Sequence, residues 1–444
     1  MNYPLSWLTT PQQVVLISLS IVTMLLGIYG LNWLALTAIS LGRHSQRRAK
    51  PDEPKDWPKV SIHIPLYNER RVASRILDAC LALDYPRDKL EILVVDDSND
   101  GTSEIVDGYQ SKFPDLVKVL RRPNRSGYKA GALQLALRNS SGDFIAIFDA
   151  DYVPPKDFLK ITIPHFYEDD RIAFVQTRLG YLNKFSSWLT LGASLAMDAH
   201  DLIDQMARYK ANLFPHFSGT GGVFRKAAIE SVGGWSPDTL AEDLDLSMRL
   251  LLGGWKYRYL PEVVCPGELP PTFSAFKRQQ YRWAKGFTEC LKKYWWRIIL
   301  DRSLSLPKKL AVLLQLSAYM VFPLSAIGIL LTIPYYLVFP VNFFFVNYWR
   351  LSITPLMVAS TAAVYLSPMV VYGTAISKLH ERWMDGLKRL ACLGALACGI
   401  IFSNSKGVIE ALLGLKSPFL RTPKYGQIDP RSLEQSLFEM IPLS

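Results

Sequence analysis

Val14 to Leu41 runs without one charged side chain. As a helix, such a segment is longer than the hydrocarbon layer, about 30 Å thick, that it would cross. It has no place in a water-soluble fold, so this end of the chain is expected in a bilayer. A cleaved signal peptide is the other reading of an N-terminal apolar run. This one is long, lacks a basic leader and shows no small-residue cleavage site, so residues 1–42 are expected to be a retained anchor. Arg43, Arg47, Arg48 and Lys50 follow before the first acid, Asp52. The positive-inside rule then puts the N-terminus outside and the middle of the chain in the cytoplasm. Residues 43–58, rich in proline towards the end, read as a linker. Further apolar stretches fall within 309–404. Residues 310–335 and 352–376 are long enough to span, whereas 390–404 is short and expected to be re-entrant or interfacial. The Pro-interrupted stretch 335–347 is the alternative source of another crossing. The expectation is a multi-pass integral membrane protein with the bilayer as partner.

The net charge of +11 calls for no nucleic-acid partner. Basic residues are interleaved with acids and gather near apolar segments, where anionic headgroups account for them. The five cysteines form no Cys-x-x-Cys pair and fit reduced thiols.

Between the linker and residue 272 the pattern changes. Val60–Pro65, Leu90–Val95, Val117–Leu120 and Phe144–Phe148 are short apolar runs with helical segments between them. That alternation predicts an α/β domain with a mainly parallel sheet. Polar clusters recur in the loops after the runs: Tyr67, Asn68 and Glu69; Asp96 and Asp97; Asp149 and Asp151. In a parallel sheet such loops share one edge, where open α/β folds bind ligands. Asp149-Ala-Asp151 alone is no more than an acidic turn, but in this company it fits a hard cation, Mg²⁺ or Mn²⁺, holding phosphates.

Beyond residue 183 the signals are mixed. Asp198, His200, Asp201 and Asp204 match no ligand spacing and read as a helix face. Phe217–Arg225 is a glycine-dense loop, suited to close substrate approach or to a tight turn. Glu242 and Asp243 open a helix, where acids serve either as caps or, in one case, as a general base. Residues 273–308 contain Gln279-Gln-Tyr-Arg282-Trp283 within a basic, tryptophan-bearing run that fits a helix at the membrane surface.

Asp97, Asp149-Ala-Asp151, Glu242-Asp243 and Gln279-x-x-Arg282-Trp283, in this order, resemble the processive inverting family-2 glycosyltransferases, cellulose-synthase-like mannan and glucan synthases among them. The likeness covers about Val60 to Arg297 and resumes at Phe419-Leu-Arg-Thr-Pro-Lys424, similar to that family's gating loop; residues 405–444 are expected to hold an interfacial helix, this segment and a C-terminal tail. The resemblance implies a GT-A-type (Rossmann-like) domain over 59–272, a nucleotide-sugar donor (UDP-glucose or GDP-mannose), a divalent cation and a growing β-glycan product, a β-1,4-linked glucan or mannan. It implies Asp97 at the donor base with Tyr67 and Glu69 nearby, and Lys129 near the diphosphate. Asp149 and Asp151 would serve metal and diphosphate, and Asp243 would be the base beside Glu242. Arg282 would contact the diphosphate, Trp283 and Gln279 the acceptor, and Thr422 and Lys424 would reach over the nucleotide. Ala241 replaces the family's usual Thr. A lipid acceptor receiving one sugar, as in ceramide-glucosyltransferase-like relatives, and a non-catalytic export or scaffold subunit are the alternatives. Only a polar tail follows Lys424, so a translocation channel complete within this chain is not expected.

Overall fold

A computed structural model describes residues 9–42, 51–338, 355–417 and 421–432. The basic run 43–50, most of the 335–347 stretch and Phe419 lie outside the described residues.

The α/β part contains strands β1 (Val60–Leu66), β2 (Leu90–Asp96), β3 (Val117–Leu120), β4 (Phe144–Ile147), β5 (Ile172–Tyr181), β6 (Gly222–Arg225) and β7 (Lys256–Gly267). Its helices are α2 (Ala73–Leu81), α3 (Thr102–Lys112), α4 (Tyr128–Asn139), α5 (Phe158–Thr162), α6 (Trp188–Ala199), α7 (Met206–Lys210), α8 (Lys226–Ser231) and α9 (Glu242–Leu252). Preceding them is α1 (Thr10–Leu41); following them are α10 (Phe273–Leu300), α11 (Leu306–Leu316), α12 (Val321–Val338), α13 (Pro355–Lys378) and α14 (Trp383–Leu413).

One sheet runs in the order β3-β2-β1-β4-β6-β5-β7. β6 alone is antiparallel to its neighbours. The mainly parallel expectation is met, with a single reversal. β4 shows why its sequence is apolar at consecutive positions. Phe144 and Ala146 enter a core with Ile62, Ile64, Ile76 and Val94. Ile145 and Ile147 enter the opposite one with Leu133, Phe174, Phe224 and Leu246. Helices cover both faces, so neither face can be polar. Because β1, β2 and β4 are parallel neighbours, the loops after Leu66, Asp96 and Ile147 open on one edge.

Four helices among the described residues are long and apolar enough to cross a membrane: 10–41, 318–337, 357–378 and 383–413. α1 meets α13 through small residues. A Cβ on Gly30 would stand 2.6 Å from the Ala363 carbonyl oxygen, and one on Gly27 would meet Ser360 at the same separation. In lipid, such close backbone approach is what holds helices together. The far end of α1 is tied to the α/β domain: Lys210 Nζ donates to the carbonyls of Ser40 (2.8 Å) and Gly42 (2.7 Å). A cation at a helix C-terminus satisfies carbonyls that have no intrahelical partner.

The limits and length read for 390–404 need correction. That stretch is the middle of α14, a continuous helix of 31 residues, so no element ends at residue 404. Apolar length underestimated it because its ends are polar. One face of α14 is dedicated to protein. Arg389 is bonded to Asp198 and Ser194 of α6. Gly399 lies against Phe273 and Gly407 against Tyr281, both of α10. Asp198, which looked like part of a metal set, is thus an ion-pair partner, and Asp204 likewise holds Arg208 at 2.9 Å.

Candidate active site

The strand-end loops, the start of α4, the start of α9 and residues 421–426 meet at one cleft. Asp149 and Asp151 follow β4. Asp151 is fully buried. Its Oδ2 accepts the Glu268 backbone N–H at 3.1 Å and the Lys424 ammonium at 2.6 Å. Its Oδ1 is buried without a hydrogen-bond partner among the described residues. Asp149 is more open, and its carboxylate meets Lys129 Nζ at 2.7 Å.

Lys129 is the second residue of α4, and Gly127, with a φ of +72°, makes the turn into the helix. Its ammonium also donates to the Gly219 carbonyl at 2.9 Å and lies 3.6 Å from Glu242. Burial would lower its pKa, but Asp149, Glu242 and Asp243 outweigh that and hold it charged. One ammonium therefore bridges the β4 carboxylates to the acids of α9.

Asp243 accepts the Leu244 N–H at 2.8 Å. Burial first, then the Glu242 charge, pushes its pKa up to about 7; Lys129, the Leu244 N–H and Arg282 pull the other way. A carboxyl poised there can exchange a proton near neutrality, as a general base must. Arg282 comes close enough to Asp243 to act on it electrostatically, because α10 packs tightly on the segment before α9. A Cβ on Gly286 would be 2.8 Å from that of Ala241. The Ala241 departure from the family pattern thus places a small residue where α10 comes closest. Gln279 is half-buried one turn earlier on the same helix.

Three predicted residues are already engaged by cations that sequence reasoning passed over. Both Asp97 oxygens accept from Arg122, one of them at 3.0 Å from Nε. The Arg125 guanidinium lies 3.1 Å from the centre of the Tyr67 ring. Glu69 holds Arg421 in a bidentate pair at 2.8 and 2.7 Å. Arg421 belongs to the same segment as Thr422 and Lys424, so its position was the available signal. Arg122 and Arg125 lie in a basic loop with no motif. Thr422 Oγ1 is buried without a hydrogen-bond partner among the described residues. Glu268 was also missed: it is buried at the end of β7 and bonds Arg75. An acid after the apolar run Val263-Val264-Cys265-Pro266-Gly267 was its only mark.

The carboxylates suit a small divalent ion. Among the described residues no three His, Cys, Asp or Glu side chains form a metal cluster. Mg²⁺ and Mn²⁺ sites of phosphate-binding enzymes use one or two carboxylates and fill the rest with substrate oxygens and water. The unpartnered Asp151 Oδ1 and the carboxylate of Asp149 are the oxygens such an ion would take, while lysine ammonium groups hold Asp151 Oδ2 and Asp149 in its place.

Gly219 has a φ of +84°, and a Cβ there would stand 2.8 Å from Asp243 Oδ2. Gly219→Ala is expected to lower kcat at least about tenfold by displacing Asp243. Backbone strain of ~1–3 kcal/mol should also appear as a lower Tm. Thermal unfolding and steady-state kinetics on the same preparation check both.

The glycosyltransferase-like family 2 model matches residues 58–286, more than half of the chain. Glucomannan 4-beta-mannosyltransferase 9 of Arabidopsis thaliana is 36% identical over 287 residues, 61% of this chain and 54% of that protein. Probable glucomannan 4-beta-mannosyltransferase 2 of Oryza sativa subsp. japonica is 37% identical over 261 residues, 57% and 45% of the respective chains. The chain spans about half the length of the curated relatives it matches. Among solved structures, the mannosyltransferase PcManGT from Pyrobaculum calidifontis, in complex with GDP-Man and Mn2+, superposes with a TM-score of 0.59. It is 21% identical and the match covers 82% of this chain and 99% of that one, which establishes a shared GT-A-type fold. On the extent of the family match, the chain belongs to glycosyltransferase-like family 2.

Proposed function

We propose that the protein is a membrane-bound, inverting mannosyltransferase that passes a hexose from GDP-mannose to a growing β-1,4-linked glycan. The relatives' names favour mannose over glucose, and the solved neighbour binds GDP-Man. The observation that carries the reading is the Lys129 ammonium, which touches Asp149 on one side and approaches Glu242 on the other, beside Asp243. It puts a phosphate-holding group and a candidate base within one side chain's reach.

In this reading Asp243 takes the proton of the attacking acceptor hydroxyl as the glycosidic bond forms. Glu242 keeps Asp243 basic by adding negative charge. A single displacement inverts the anomeric carbon. Asp149 and Asp151 would hold Mg²⁺ or Mn²⁺, which when bound supplies charge stabilisation to the leaving diphosphate. Lys129 and Arg282 add positive charge at the same place. Trp283 offers a flat apolar face to the acceptor sugar, with Gln279 on the same helix. Tyr67, Asp97 and Glu69 line the base side of the donor, and Thr422 and Lys424 cover it.

The α/β domain is read as cytosolic. Residues 421–424 return to the cleft, so an even number of crossings must separate them from α10. α12 and α13 supply two, and α14 lies along the membrane surface, supported by its contacts with α6 and α10.

A donor screen tests this. Purified protein in detergent receives GDP-mannose, UDP-glucose and other nucleotide sugars, with free nucleotide and product length as readouts. GDP release with a lengthening, mannanase-sensitive product is expected. A product that stops at one sugar on lipid, or no nucleotide release with any donor, rejects the polymerase reading.

The pH profile should report the acid pair. A base works deprotonated, so a pKa raised to about 7 means that kcat/KM falls as pH drops through 7, approaching tenfold per unit below it. The limb belongs to the cluster of Asp243, Glu242, Lys129 and Arg282 together. A profile flat from pH 8 down to 5 would contradict it.

A further inference from the structure

Residues 421–426 lie across the cleft as a strap with three fastenings. Arg421 is paired with Glu69. Lys424 Nζ sits 2.6 Å from Asp151 Oδ2. The backbone N–H groups of Tyr425 and Gly426 donate to Glu268 Oε2 at 3.0 and 3.2 Å. Glu268 is also built into the aspartate's support. Its own N–H holds Asp151 Oδ2, and its Oε1 holds Arg75, whose Nη2 donates to the Asp151 carbonyl at 3.1 Å. The strap and the buried carboxylate are thus fastened to the same residue.

We propose that Lys424 is a resident counter-cation of this site: its ammonium holds Asp151 and keeps the strap shut until a divalent ion displaces it. This rests on the reading of Asp149 and Asp151 as the metal carboxylates. Asp151 is fully buried, and a buried carboxylate needs a compensating charge. Lys424 provides it from one side, while Oδ1 keeps unspent acceptor capacity. Asp149 and Glu69 are the other carboxylates acting on the ammonium. A divalent ion on Asp151 would meet like charge at Lys424, so the two compete for one carboxylate. Displacing Lys424 removes the central fastening between Arg421 and Glu268, which couples ion binding to loosening of the strap. The ammonium is then free to meet an incoming diphosphate, so one side chain serves the resting and the loaded states in turn.

Two measurements on the nucleotide-free full chain in detergent decide this. Mn²⁺ binding, followed by the paramagnetic resonance of free Mn²⁺, should be at least about fivefold tighter in Lys424→Met than in the unaltered protein. In the unaltered protein, saturating Mn²⁺ should speed hydrogen exchange of the Tyr425 and Gly426 amides, a result that needs no variant. Equal or weaker Mn²⁺ binding by Lys424→Met, or exchange that Mn²⁺ leaves unchanged or slows, overturns the lock. Asp151→Asn should abolish binding in either background. If no protein binds Mn²⁺, the metal reading fails first and takes this proposal with it; equal binding by the two proteins sinks the lock alone.

Discussion

Asp243→Asn is expected to reduce sugar transfer by about 10²–10⁴-fold, the usual contribution of a positioned general base, while leaving nucleotide binding within about twofold. The substitution is nearly isosteric. The amide oxygen of the new side chain would still accept the Leu244 N–H, which now goes to the carboxylate at 2.8 Å. Lys129 would keep its contacts with Asp149 and the Gly219 carbonyl. What disappears is the capacity to take a proton, so kcat should fall and the donor Kd should not. Glu242→Gln should behave differently. Its charge is one of the two causes that raise the Asp243 pKa. Removing it should move the acidic limb of the pH profile to lower pH with a smaller loss of rate. Equal losses in both variants would mean that the pair acts through charge on Lys129 rather than through proton transfer.

Removing divalent ions has the second largest expected effect. Chelation should cut turnover by about 10²-fold or more, the scale on which a single preorganised charge-stabilising group acts, and Mn²⁺ or Mg²⁺ should restore it. In the proposed reaction the leaving diphosphate would gather negative charge beside Asp149 and Asp151, two carboxylates that would repel it unless a cation stood between. Of the cations nearby, Lys129 is committed in part to Asp149, Lys424 to Asp151 and Arg421 to Glu69. They cannot neutralise the carboxylates and the diphosphate at once. Asp151→Asn should lose activity to a similar degree and resist rescue by added metal. Full turnover in chelator would show that Lys129, Arg282 and Lys424 suffice, and would remove the metal from Asp149 and Asp151.

Much of the scaffold was readable because burial writes itself into composition. β1, β2 and β4 are covered on both faces, so their sequences are mainly apolar, with Ser61, His63 and Glu91 as polar exceptions, and β2 and β4 run on directly into acids. α1 is apolar all round, as a lipid-facing segment must be. α14 was underestimated for the converse reason. Its polar ends serve protein contacts, with Arg389 on Asp198 near one end and Glu410 beside Lys285 near the other, so apolar length measured only its middle.

The chemistry divides along the same line. Asp149 and Asp151 could be singled out along the chain because they follow a buried strand where such sheets bind ligands; Glu242 and Asp243 stood out as acids at a helix start, and Lys129 through the family resemblance. Their partners could not. Arg122 reaches Asp97 across 25 residues, Arg421 reaches Glu69 across 352, and Lys424 reaches Asp151 across 273. An ion pair depends on where two side chains end in space, and periodicity carries no record of that for residues so far apart. Sequence determined which elements form and which side chains need compensation; the packing of β4, α4, α9 and residues 421–426 around one cleft decided what compensates them.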